Sequence, residues 1–140
     1  MKFMLVVIIT MGSPVIGEEK KTFELRIPQE NKEECLKSAK ILGLNDVQFA
    51  EIPATYIHNE PISKLSGIIQ SFILQHSPHT VFIPFPDRHQ DHKITFECSM
   101  VATRPKKNLS FVKGIFAYEV ISETHWNSNY IEPNFQPDFH

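Results

Sequence analysis

Short apolar runs alternate along the chain with longer stretches in which apolar residues return every three or four positions. Residues 46–52 read as a strand with Val47, Phe49 and Ile52 inward, and residues 80–84 and 114–121 as two more. The stretches between them read as helices. In residues 31–44 the stripe is Cys35, Leu36, Ala39 and Leu42, with Gly43 as the stop. In residues 61–76 the stripe is Ile62, Leu65, Ile69, Phe72 and Ile73. Pro61 suits the first turn of that helix, and Ser77-Pro78 ends it, because a residue before Pro is pushed out of the helical region. In residues 93–103 the inward positions are Ile94, Cys98, Val101 and Ala102, closed by Arg104-Pro105. Residues 13–30 are polar, carry Pro14 and Pro28, and read as a loop, as do residues 56–60; the tail 136–140 reads as loose.

The opening segment, MKFMLVVIITMG, admits two readings. One is a signal peptide, with Lys2, a short apolar core and Val15-Ile16-Gly17 as the cleavage site. The other is a buried parallel strand, rich in Val and Ile and ending in Thr10-x-Gly12. The single positive charge and the β-branched core favour the strand, and with it a cytoplasmic chain. A cleaved leader over residues 1–17 implies a secreted one. With this strand included the order is β-α-β-α-β-α-β. Such alternation argues for an α/β fold with a parallel sheet and helices on both faces, in one domain over residues 1–140 without internal repeats.

Composition narrows the function. Apolar residues make up 41% of the chain and the formal net charge is −2, which describes a globular protein with no electrostatic case for nucleic acid. No apolar run reaches the ~18 residues of a membrane span. Cys35 and Cys98 both fall on apolar helix faces and read as small buried hydrophobes. Of the scattered histidines, only His89 and His92 lie among acids at useful spacing.

Those two belong to Pro84-Phe85-Pro86-Asp87-Arg88-His89-Gln90-Asp91-His92, which follows the strand 80–84 and precedes a helix. This is the carboxyl end of a strand in an α/β unit, where such sheets place ligands. A helical turn starting here puts both imidazoles on one side. Neutral imidazole is a common metal ligand, and a neighbouring carboxylate fixes its tautomer. A polar strand-to-helix loop whose acids cap the helix reads the same residues equally well. Asp87, His89 and His92 together fall short of the usual donor set for a makeshift metal site.

Asp87-x-His89-x-Asp91-His92, after an apolar strand and a Pro, resembles the second metal-site motif of the LmbE-like (PIG-L) N-acetylglucosaminyl deacetylase family. Other parts agree in order: Ile9-Thr10-Met11-Gly12 with the end of the family's second strand, Glu34 with the Glu of its Arg-x2-Glu helix ending Leu42-Gly43, Tyr118-Glu119-x2-Ser122-x-Thr124 with its Tyr-Glu-x2-Ser strand end, and Tyr130 to Phe135 with its aromatic-x-Pro-Asn stretch. Departures fall on the substrate side, where Asn31 stands for the helix Arg and Ala54 for an Asp after Pro53. The resemblance implies a Rossmann-like three-layer fold with a mostly parallel sheet. It also implies that residues 1–140 are a partial deacetylase domain, without the family's N-terminal strand and C-terminal part.

The resemblance further implies zinc-dependent hydrolysis of the amide of an N-acetylated amino sugar or glycoconjugate. His92 takes the place of a metal ligand. His89 takes that of a general acid or oxyanion donor, and Asp91 that of the residue orienting it. The family's other two ligands and its general base come from a His-Pro-Asp-Asp motif, which this sequence does not contain. The chain alone is therefore expected to be inactive. A non-catalytic α/β module binding a sugar or a protein partner is the competing expectation.

Overall fold

The computed structural model describes residues 5–11, 14–15, 24–25, 28–126, 130 and 135–138. They fall into two compact units, Met1–Asn59 and Glu60–His140.

In the first unit, β1 (Leu5–Met11) is the strand that the opening segment predicts. The stretch expected as a loop contains a short antiparallel pair, β2 (Pro14–Val15) and β3 (Glu24–Leu25). Helix α1 (Pro28–Leu42) starts ahead of the expected Asn31, because Pro lacks only an N–H that a first turn leaves unused. Its buried stripe is narrower than the sequence suggests. Ala39 is buried and Cys35 half-buried, but Leu36 and Leu42 are exposed. Beyond the helix, Leu44 N–H donates to Ala39 O at 2.9 Å and Gly43 N–H to Lys40 O at 3.3 Å. The first of these bonds needs Gly43 at φ +68°, a conformation that L side chains resist. A Cβ there would meet no atom within 4 Å, so only backbone strain opposes it. Gly43→Ala should therefore lower stability by about 1–2 kcal/mol, read as a shifted urea midpoint at constant m-value.

The next strand, β4 (Asp46–Pro53), pairs in parallel with β1. Ile8 faces Phe49 but Thr10 faces Ile52, so β4 carries one extra residue, at Glu51 with φ 59°. This bulge resets the alternation. Ile52 is buried and Glu51 turns outward, where Lys32 pairs with it and lies 5.5 Å from the centre of the Phe49 ring. The hydrogen bond and charge of Lys32 hold the Glu51 carboxyl below its ordinary range.

The second unit begins with α2 (Ile62–His76), preceded by Pro61. Leu65, Ser66, Ile69 and Ile73 are buried, whereas Ile62 in the first turn is half exposed. Ser77 ends the helix at φ 46°, left-handed because Pro78 disfavours a further helical residue. Strand β5 (Thr80–Pro84) buries Ile83 and Pro84. The third helix, α3 (Gln90–Ala102), begins before the expected Lys93, which brings Asp91 and His92 onto its first turn. Cys98, Ser99 and Ala102 are buried on α3. Cys98 points its thiol at Ile62 O, 3.9 Å away in α2, and burial pushes that thiol's pKa up. It is the buried hydrophobe expected.

Strand β6 (Gly114–Tyr118) pairs in parallel with β5, setting Phe82 opposite Phe116 with stacked rings 5.6 Å apart. It stops short of the expected Ile121. Glu123 and Thr124 N–H both bond Val120 O, folding the chain into a short helical turn over Thr124–Trp126. Right-handed crossovers are the rule for parallel pairs joined through a helix, and both parallel pairs here have that β-α-β form. Among the described residues, no helix is long and apolar enough to cross a membrane.

Candidate functional site

Asp87 anchors the motif. It leaves the end of β5 with no exposed surface at all. An isolated buried carboxylate is costly, so its contacts matter. His89 N–H donates to its Oδ1 at 2.8 Å, and Thr124 Oγ1–H to its Oδ2 at 3.0 Å. The His92 ring places Nδ1 2.9 Å from both carboxylate oxygens. Burial alone would raise the Asp87 pKa. The hydrogen bonds from His92, the His89 backbone and Thr124 outweigh it, and the group is held below its ordinary value.

This contact decides the state of His92. A carboxylate only accepts hydrogen bonds, so His92 Nδ1 carries the proton and Nε2 keeps its lone pair in the neutral ring. His92 sits at the first turn of α3 with its side chain 21% exposed.

His89 is set the other way. It caps α3, and its Nδ1 accepts the Asp91 backbone N–H at 3.2 Å. Its proton therefore stands on Nε2. The two rings stack with centroids 4.6 Å apart. In these tautomers one ring keeps a lone pair on Nε2 and the other an N–H. Such a pair can bind an electron-pair acceptor with one ring and stabilise or protonate an oxygen or nitrogen with the other.

The other expected site residue, Asp91, is 4% exposed in the first turn of α3, where a negative charge complements the helix dipole. Its described contact with His89 runs through its backbone N–H, which any residue at that position can supply.

The motif loop is tied to the end of β6 and the segment after it at three points. Phe85 N–H donates to Tyr118 O at 2.9 Å, Thr124 holds Asp87, and Arg88 reaches Trp126 O at 3.4 Å. His125 pairs with Glu119 at 2.6 Å, an acid–histidine contact that spacing alone did not single out. Burial pushes the Tyr118 phenol up. Asn31, Glu34 and Ala54 belong to the first unit.

Catalytic zinc takes about three protein donors and keeps one position open. Among the described residues no group of three or more His, Cys, Asp and Glu is arranged to hold a metal. Both Asp87 oxygens are occupied by donors, and His89 is not brought to bear beside His92 with a second lone pair. The described residues therefore do not fit a self-contained zinc site.

Residues 2–103 match the family model for PIG-L, GlcNAc-PI de-N-acetylase. Among solved structures, the chain is similar to the conserved protein TT1542 from Thermus thermophilus, at 20% identity and a TM-score of 0.55. The match covers 81% of this chain and 52% of that one, so the chain spans about half of that relative. At this identity the likeness shows the fold, in agreement with the α/β architecture read from the sequence. No curated protein matches the chain significantly.

Proposed function

The chain belongs to the PIG-L family, and from that premise we propose that it carries one half of a de-N-acetylase site, built from His92, Asp87 and His89. The observation that supports this reading most is the opposite setting of the two imidazoles, His92 by Asp87 and His89 by the Asp91 backbone. The reaction is amide hydrolysis on an N-acetylated amino sugar or glycoconjugate. Water adds to the acetyl carbonyl, the C–N bond breaks, and the amine leaves with a proton. In this reading His89 Nε2–H donates to the developing oxyanion or hands a proton to the leaving nitrogen. Asp91 positions His89 in this reading, through the N–H that caps its ring.

Zinc is the metal expected of the family, with His92 Nε2 as one ligand; when bound it supplies Lewis acidity and an acidified water. The remaining donors and the general base correspond to a His-Pro-Asp-Asp motif, absent from the 140-residue sequence.

The 140-residue chain should therefore release no acetate from N-acetylglucosamine conjugates above the rate in buffer, with or without added zinc. Chelator-sensitive acetate release would contradict this and show a complete site. The absence of the base and of two donors also favours a second reading, a sugar-binding α/β module. Calorimetric titration with N-acetylglucosamine separates the two. Binding that survives His92→Ala and His89→Ala together would support the module.

A further inference from the structure

Thr124 lies outside the residues that match the family model. It is 3% exposed, in the turn that follows β6. Its Oγ1 accepts the Val120 N–H at 2.8 Å, which leaves the hydroxyl hydrogen to point at Asp87 Oδ2, 3.0 Å away. That carboxylate is the one that receives His92 Nδ1–H on both its oxygens. An unbroken line of hydrogen bonds thus runs from the backbone beyond β6 to the imidazole: Val120 N–H, Thr124 hydroxyl, Asp87 carboxylate, His92 ring.

We propose that Thr124 is a positioning residue, fixing through Asp87 the orientation and tautomer of His92; this rests on the reading of His92 as the donor atom of the site. The terminal torsion of an Asp side chain is broad and roughly two-fold, so the carboxylate plane is set by its partners. His89 N–H pins Oδ1 and Thr124 pins Oδ2. Only with both pinned does the plane lie so that His92 Nδ1 meets both oxygens at an equal 2.9 Å. Without the hydroxyl the carboxylate can turn about its last bond, and the imidazole proton loses one of two equivalent acceptors.

A purely structural role is separable from this one. Arg88–Trp126 also holds the segment to the motif loop, and Phe85–Tyr118 holds the loop to the end of β6; neither contact reaches the imidazole. Loss of the Thr124 hydroxyl should therefore change His92 while the turn stays in place.

The test measures solvent exchange of the His92 Nδ1 proton by NMR, in the metal-free 140-residue chain labelled with nitrogen-15 at histidine. Thr124→Val should speed exchange by about tenfold, the factor that one lost hydrogen bond to a charged group corresponds to. Thr124→Ser, which keeps the hydroxyl, should restore the slow rate, and Arg88→Ala should leave it unchanged. A wild-type rate in Thr124→Val would overturn the proposal. So would equal acceleration in Arg88→Ala, which would show general loosening. Should Thr124→Val not fold, Thr124→Ser decides: a wild-type rate supports the hydroxyl, and a fast rate shows that the missing methyl was what mattered and overturns it. Failure of the donor reading would appear separately, in a chain extended by a strand bearing His-Pro-Asp-Asp, as a zinc content that His92→Ala leaves unchanged.

Discussion

Asp87→Asn should remove a large share of the stability of the second unit. The carboxylate is fully buried and takes hydrogen bonds from His89 N–H, Thr124 Oγ1 and the His92 ring. An amide of the same shape keeps one acceptor oxygen but turns an NH2 toward groups that are themselves donors. Each buried donor left without its acceptor typically costs about 1–3 kcal/mol, and two are left here. Whole-domain stabilities are about 5–15 kcal/mol, so the loss takes a large share and can unfold the unit outright. Urea unfolding of the two proteins measures it. A change below about 1 kcal/mol, the range of exposed ion pairs, would mean that Asp87 is not the buried anchor described.

The second large effect concerns the two imidazoles. In a chain extended by a strand bearing His-Pro-Asp-Asp, His92→Ala should remove one of about three protein donors to zinc. Metal affinity should fall by more than the roughly 10–100-fold that outer partners account for. His89→Ala should leave zinc content near that of the parent and lower kcat by about 10²–10⁴, the usual contribution of a positioned acid–base group. Asp91→Asn should change kcat less than either, because its described contact with His89 is made by the backbone. Zinc stoichiometry and kcat measured side by side test the division. Equal zinc loss in both Ala variants would contradict it, and full zinc and activity in both would remove the site.

The α/β order, the three helices and the placement of His89 and His92 at a strand-to-helix junction were legible in the sequence, because each rests on local periodicity and on strong breakers such as Gly43 and Ser77-Pro78. What escaped was set by contacts distant along the chain. The resemblance named Asp91 as the residue orienting His89 and pointed to no partner acid for His92. The buried partner of His92 is Asp87, five positions earlier, and Asp87 is in turn held by Thr124, 37 positions later. The signal for it was present in Ser122-x-Thr124 after a Tyr-Glu pair, but a hydroxyl's partner cannot be read from a one-dimensional pattern. The bulge at Glu51 escaped for a related reason: apolar alternation does not show an extra residue until a neighbouring strand fixes the register. The narrow stripe of α1 shows the converse, since Leu36 and Leu42 fit the helical period and yet lie exposed.

The central claim is that the two stacked rings hold opposite tautomers. Nitrogen-15 NMR of the histidine side chains, recorded above the pH at which the imidazoles are neutral, reads it directly. The predicted result is a proton on Nδ1 of His92 and a proton on Nε2 of His89. Both rings in the same tautomer, or both averaging freely between the two, would contradict it.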